Sequence, residues 1–323
     1  METKGNHAMV VDSAIRTQDI QSKLNQIDNI LLSGVLKQSA NLPVEPHTSD
    51  CTVVVGGEQE FNQKRFALTE INEYLSVPAT IIVENGLNDG LFIRAIEKHF
   101  DAVVPFEELL SNHHVQIDPA GGSGARSRVE YHLGIHHSQP KYLRCMVVED
   151  GDKRFPQDTQ YGNFQRQQKD AEYYRSVNVT YHVLEKRAME NYMPDEVFDR
   201  HRNTFTNEWV DAYLHLTEEQ KDYYYIAEGF QKDLTSQAKK AQDYDCCNLP
   251  QSVQQLYADV MGTANYQHLL KQPFAGGHFK NSFPQYFTNS PYVNKNSLLR
   301  RCPRKANGKS ELEEITEEIR QLL

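Results

Sequence analysis

The chain has 323 residues, of which 39% are hydrophobic and 24% charged, the make-up of an ordinary folded protein that can bury a core without disulfide help. A net charge of −10 argues against a general nucleic-acid coat protein. Cys51, Cys145, Cys246, Cys247 and Cys302 contain no C-x-x-C pair, which speaks against a disulfide framework or a zinc knuckle. No signal-length apolar core opens the chain, and no run reaches the roughly 18 apolar residues of a membrane span; a cytoplasmic protein without membrane contact is expected.

In chain order, a helix is predicted over 12–33, where Ile20, Leu24, Ile27 and Leu31 share one face and Ser33-Gly34 stops it. Thr52–Val55 is a short strand candidate closed by Gly56-Gly57. The clearest signal begins at Pro78. Ala79–Val83 is a β-branched apolar run of the kind buried on both faces of a sheet. Glu84-Asn-Gly-Leu-Asn-Asp89 follows, and Asn88 or Asp89 is set to cap a helix from Gly90 to Phe100. Val115–Ile117 is a weaker strand that runs into the glycine turn Asp118–Gly124 and a helix from Arg126 to Leu133. Tyr142–Val148 is a second strong strand, ending in Glu149-Asp150-Gly151-Asp152, and Val177–Val183 is a third. Strands alternating with helices predict an α/β fold with a mainly parallel sheet. Residues 195–270 read as mostly helical. Thr217 with Gln220, and Ser310 with Glu313, are spaced as capping boxes. The second opens a terminal helix whose Leu312, Ile315, Ile319 and Leu322 need something to pack against.

Two of the best strands end in acids, the first at Glu84 and the second at Asp150-Gly-Asp152. In open parallel sheets, ligands sit outside the carboxyl ends of the strands. Alternation puts Asp150 and Asp152 on one side of an extended chain, and Gly151 lets the backbone turn tightly between them. Carboxylates brought together repel each other, and a hard divalent cation relieves that repulsion. Mg²⁺ (or Mn²⁺) suits oxygen ligands, and a metal so held polarises a phosphoryl oxygen or acidifies a bound water. A lone Asp-x-Asp is also an ordinary solvated turn, so the pattern alone leaves both readings open.

These segments resemble a family. Ile81–Ile93 is similar to the first Toprim motif, a strand ending in Glu and followed by a helix. Met146-Val-Val-Glu-Asp-Gly-Asp-Lys153 is similar to its Asp-x-Asp strand, and Ala120–Gly124 sits where Toprim domains often carry glycines. His182–Pro194 resembles the segment that follows in Toprim nucleases of the overcoming-lysogenization-defect type and in small Toprim effectors of bacterial anti-phage defence. The resemblance covers roughly 78–198. It implies a catalytic or metal-linked Glu84, Mg²⁺ ligands at Asp150 and Asp152, a second metal position completed by Glu190 rather than Glu185, and phosphate stabilisation by Lys186. It further implies a toxic effector that cuts nucleic acid, DNA or RNA including tRNA, and works with a separate ATPase sensor. One departure stands out: Asn85 occupies the position of the usual glycine, and Asp89 lies five residues after Glu84 rather than four, which favours a capping role for Asp89.

The expected organisation is therefore an N-terminal mixed region over 1–77, a Toprim-like catalytic domain over 78–198 and a mainly helical region over 199–323. Within the last, 260–310 has no Asp or Glu but carries Lys271, Lys280, Lys295, Arg300, Arg301, Arg304, Lys305 and Lys309 among aromatics. Cations interleaved with rings suit a nucleic-acid strand, and Lys295, Arg300, Arg301, Arg304 and Lys305 are the expected docking residues. His113-His114 and His136-His137 read as loop histidines. Gly121-Gly-Ser-Gly124 lacks the Lys-Ser/Thr of a P-loop. A homo-oligomer is compatible with the pattern, and the competing function is a Toprim-like module that binds nucleic acid or a partner without cutting.

Overall fold

The computed structural model describes residues 54–55, 65–66, 77–100, 105–135, 143–242, 245–262, 264–274 and 283–322. The chain divides into two units, 1–49 and 50–323, and every described residue belongs to the second. The helix predicted over 12–33 and the pair His136-His137 lie outside the described residues. Of the strand predicted at Thr52–Val55, β1 (Val54–Val55) is described, paired in parallel with β2 (Arg65–Phe66).

Four strands build the main sheet: β3 (Ala79–Val83), β4 (Val115–Pro119), β5 (Cys145–Glu149) and β6 (Thr180–Val183). All pairs are parallel, in the order β4-β3-β5-β6. The runs with the strongest apolar signal, β3 and β5, form the centre, and every residue of both is buried. Parallel strands covered on both faces need such continuous hydrophobicity. The lateral strand β4 is buried only at Val115 and Asp118, which explains its weak signal.

Helices α1 (Asn88–Phe100), α2 (Phe106–Ser111), α3 (Ala125–Ile135) and α4 (Phe164–Ser176) surround the sheet. The pleat sorts β3 between two cores. Ile81 and Val83 join Phe92, Ile93 and Ile96 of α1, while Ile82 joins Val147, Ala125 and Val129 of α3 and Tyr174 of α4. Helices thus cover both faces, an α/β architecture.

The C-terminal region is helical: α5 (Asp195–Arg200), α6 (Asn207–His215), α7 (Glu218–Tyr223), α8 (Ser236–Ala241), α9 (Gln251–Leu256), α10 (Ala258–Met261), α11 (Ala264–Leu270), α12 (Gln285–Asn289), α13 (Lys295–Arg301) and α14 (Glu311–Arg320). Both capping boxes form, with Gln220 N donating to Thr217 Oγ1 and Glu313 N donating to Ser310 Oγ. This region shares one hydrophobic core with the α1 face of the sheet: Trp209, Tyr213, Phe274, Phe283 and Phe287 lie in the same cluster as Ile81 and Phe92. Of the aromatics among the basic residues of 260–310, Phe274, Phe283 and Phe287 are core, whereas Tyr292 is exposed. Cys246 is buried as expected of a small hydrophobe, while Cys247 is exposed.

The terminal helix α14 packs its whole stripe onto the body. Leu312, Ile315 and Ile319 are fully buried, and Leu322 nearly so, in the core that holds α1. Its first turn is also tied to the sheet. Glu311 accepts hydrogen bonds from Glu185 N at 2.7 Å and from the Tyr192 hydroxyl, and His182 at the end of β6 bridges Glu311 and Glu318 at 3.1 and 2.9 Å. Burial opposes the charged ring, but the two carboxylates win and hold the His182 pKa up at about 9. An imidazolium raised from its ordinary 6.5 contributes stability that is complete below about pH 6.5 and is lost as pH rises through about 9. Wild type should lose stability to urea across that window beyond the loss seen in His182→Gln, and parallel pH profiles for the two proteins would contradict this.

Candidate functional site

The carboxyl ends of the two central strands lie side by side, and each delivers acids. Glu84 follows β3, Asp150 and Asp152 follow β5, and Glu190 comes from the short 3-10 turn Met189–Tyr192 beyond β6. Asp150 feels the carboxylates of Glu190, Asp89, Asp152 and Glu84. Four acids, from the segments after β3 and β5 and beyond β6, therefore lie within electrostatic reach of Asp150, on the side where an α/β sheet presents its ligand site. Glu185 does not join them: it is exposed and pairs with Lys305 at 2.5 Å.

The backbone is built for close approach at Asp150-Gly151-Asp152. A Cβ at Gly151 would overlap the carbonyl oxygens of Leu184 and Lys186, so only glycine lets the β5 loop lie against the chain leaving β6. Two hydrogen bonds seal that contact, Leu184 N to Glu149 O at 2.9 Å and Asp152 N to Arg187 O at 2.8 Å. Asp152 takes a left-handed φ of 55°, a conformation that costs most residues energy and is tolerated best by Asn and Asp. The alternation expected of an extended Asp-x-Asp does not apply here, because the turn at Asp152 and its bond to Arg187 aim the side chains instead.

Hydrogen bonds hold these acids at rest. Asp150 Oδ1 accepts from Met189 N at 3.1 Å, and Asp152 Oδ2 accepts from Asn163 Nδ2 at 2.5 Å. The other oxygen of each receives no hydrogen bond from a described residue. Burial first, and then Glu190, Asp89, Asp152 and Glu84, push the Asp150 carboxyl well above the usual range. Asp89 is pushed up to about 7 by burial and by Glu190 and Glu84, against the hydrogen bond from Asn85 N that favours its charge. Such displacements mark sites where anionic groups are held together against their repulsion.

The departure at Asn85 has a structural cause. Asn85 Oδ1 accepts from Leu87 N at 3.1 Å and Asn88 N at 3.2 Å, while Asp89 Oδ2 accepts from Asn85 N at 2.9 Å. Asn85 is thus the cap of α1, where Asn88 or Asp89 was expected, and Asp89 closes the loop reciprocally. Asp89 does more than cap, because it also sits within reach of Glu84 and Glu190. The glycine turn borders the same place: Gly121 N donates to Glu84 O at 2.9 Å, and Gly121 and Gly122 both have positive φ.

As the side chains stand, no three His, Cys, Asp or Glu among the described residues are gathered tightly enough to hold a metal ion. The donor set nonetheless fits a hard cation. Glu84, Asp150, Asp152 and Glu190 offer only oxygen, and two of them keep an oxygen without a hydrogen bond from a described residue.

Other expected site residues lie elsewhere. Lys186 is buried, its ammonium bound by Asp222 and set over the Tyr192 ring at 5.3 Å. Burial and the nearby Arg301 lower its pKa. Its ammonium is engaged by Asp222 of the helical region, where the resemblance implied phosphate stabilisation. Five cations of the basic segment are paired within the chain. Arg300 pairs with Glu196, Arg304 with Glu313, Lys305 with Glu185 and Glu314, and Lys309 with Glu317. Arg301 is 3% exposed and bound to Glu218 and Asp222, which takes it out of any docking surface. Lys295 is exposed, with its ammonium 5.5 Å from the centre of the Phe100 ring. The acid-free stretch arises because its carboxylate partners come from 185–222 and from α14, which a local charge sum cannot see.

Comparison with family models, with characterised proteins and with solved structures finds no match to this chain. Among the described residues no helix is long and apolar enough to cross a membrane.

Proposed function

We propose that this chain is a Toprim-type nuclease that hydrolyses nucleic-acid phosphodiester bonds with Mg²⁺ or Mn²⁺ held by Glu84, Asp150, Asp152 and Glu190. The observation that carries this reading is the meeting of Glu84 with Asp150 and Asp152 at the carboxyl ends of adjacent central strands, around an Asp-Gly-Asp turn whose centre has no room for a side chain, with Asp89 and Glu190 within electrostatic reach of Asp150. Keeping several carboxylates in one crevice is unfavourable by itself, and a divalent cation converts the cost into binding. The metal would supply Lewis-acid polarisation of a phosphoryl oxygen and a nucleophilic water near neutral pH. The chain's own residues orient the acids: Arg187 O fixes Asp152, Met189 N fixes Asp150, and Asn163 steadies the Asp152 carboxylate.

The family resemblance adds a role as toxic effector in anti-phage defence and a separate ATPase sensor as partner, and the cysteine pattern suits a cytoplasmic setting. Incubating the protein with mixed DNA, RNA and tRNA in Mg²⁺, and sequencing the fragment ends, tests the activity and identifies the substrate. Cleavage that EDTA abolishes and Mg²⁺ restores supports the reading. Intact nucleic acid in every condition, with the protein folded, overturns it in favour of a binding module.

A further inference from the structure

The helical region contributes a side chain to the acid crevice that the sequence did not single out. The run Tyr223-Tyr224-Tyr225 begins at the last residue of α7, and its three residues make different contacts. Tyr224 is fully buried and donates to Leu270 O at 2.8 Å. Tyr223 gives its carbonyl to Arg187 at 3.1 Å. Tyr225 lies within electrostatic reach of Glu190 and Asp150, and no described residue hydrogen-bonds its hydroxyl.

The ring is held firmly. Arg187 sits over it at 4.7 Å and Lys232 at 5.3 Å. Arg187 is itself immobilised by two bonds to Asp233, at 2.6 and 2.7 Å, and its main chain bonds to Asp222 O and to Asp152 N. Asn191, next to Glu190, donates to Lys221 O at 2.7 Å and Tyr224 O at 2.8 Å. The strip that carries Glu190 and the strip that carries Tyr225 are therefore stitched together, with Asp152 bound to the same stitch. A half-buried phenol in such a frame has few rotamers, which makes it a fixed donor.

We propose that Tyr225 is a substrate-binding residue of this site, donating its hydroxyl hydrogen to a non-bridging oxygen of the scissile phosphate of the nucleic acid. The inference rests on the nuclease reading above. Beside carboxylates that a bound cation would keep ionised, a phenol is the group suited to donate to an anionic phosphate oxygen. A phenol carries its hydrogen at neutral pH by its ordinary acidity, so it is available as a donor. Such a donor also adds no positive charge that would compete with a cation for the carboxylates.

The test compares wild type, Tyr225→Phe and Glu84→Gln on the labelled oligonucleotide that wild type cuts, or on mixed labelled DNA and RNA if none is cut. Phe keeps the ring between Arg187 and Lys232, so the melting temperature and Mg²⁺ binding by calorimetry should be unchanged. Cleavage by Tyr225→Phe should fall about 10- to 100-fold, the effect of losing one hydrogen bond to a charged group. Oligonucleotide affinity, measured by anisotropy in the Glu84→Gln background to prevent cutting, should weaken in the same direction. Wild-type rates and affinity in a folded Tyr225→Phe, alongside an active wild type and an inactive Glu84→Gln, overturn the role of Tyr225 and leave the nuclease reading standing. An inactive wild type in Mg²⁺ removes the nuclease reading, and this inference with it.

Discussion

Glu84→Gln is expected to lower cleavage by about 10²–10⁴-fold while the protein melts at the same temperature as wild type or higher. The substitution keeps the size of the side chain and removes one charge. Glu84 is exposed at the end of β3, outside the hydrophobic core. Its carboxylate raises the pKa values of Asp150 and Asp89, which means that it destabilises the metal-free crevice. Removing it relieves that repulsion. Loss of function together with retained or increased stability separates a catalytic acid from a structural one. A folded Glu84→Gln that cuts as wild type does, or one that unfolds, contradicts the role assigned to it.

The second large effect is expected at Gly151. Gly151→Ala puts a methyl group into the carbonyl oxygens of Leu184 and Lys186. Neither can retreat cheaply, because Leu184 N is bonded to Glu149 O and the neighbouring Arg187 O to Asp152 N. Main-chain overlap of this kind costs about 3 kcal/mol, read as a lowered urea midpoint. Spreading the two strips also separates Asp150 from Glu190. Stability and Mg²⁺ affinity should therefore fall together, unlike in Glu84→Gln, where only function and metal binding suffer. An Ala variant with wild-type stability would show that the close approach at Gly151 is not needed.

The sheet was legible because both central strands are buried on two faces, and so β3 is a run of Ala, Thr, Ile and Val and β5 is Cys, Met and Val up to Glu149. The acids that end those strands were legible for the same reason: strand order brings the carboxyl ends of β3 and β5 together whatever the loops do. Side-chain destinations after the loops were not. Lys186 follows β6 within the segment that resembles the Toprim motif, yet its ammonium is taken by Asp222 from α7, 36 positions on. Arg300, Arg304 and Lys305 form a basic block in sequence and a set of neutral pairs in space. Asn85 breaks the expected glycine pattern because α1 takes its cap from that position. Tyr225 is one of three consecutive tyrosines, and nothing in that run distinguishes it from its neighbours.

The central claim is that the carboxylates at the ends of β3 and β5 hold a hard divalent cation. Isothermal titration of EDTA-treated, dialysed protein with Mg²⁺ at pH 7.5, wild type against Asp150→Asn, measures it directly without any assumption about substrate. The account predicts saturable binding by wild type, with a rise in melting temperature that grows with Mg²⁺ concentration, and neither effect in a folded Asp150→Asn. Equal Mg²⁺ binding by both proteins, or none by wild type, would contradict it.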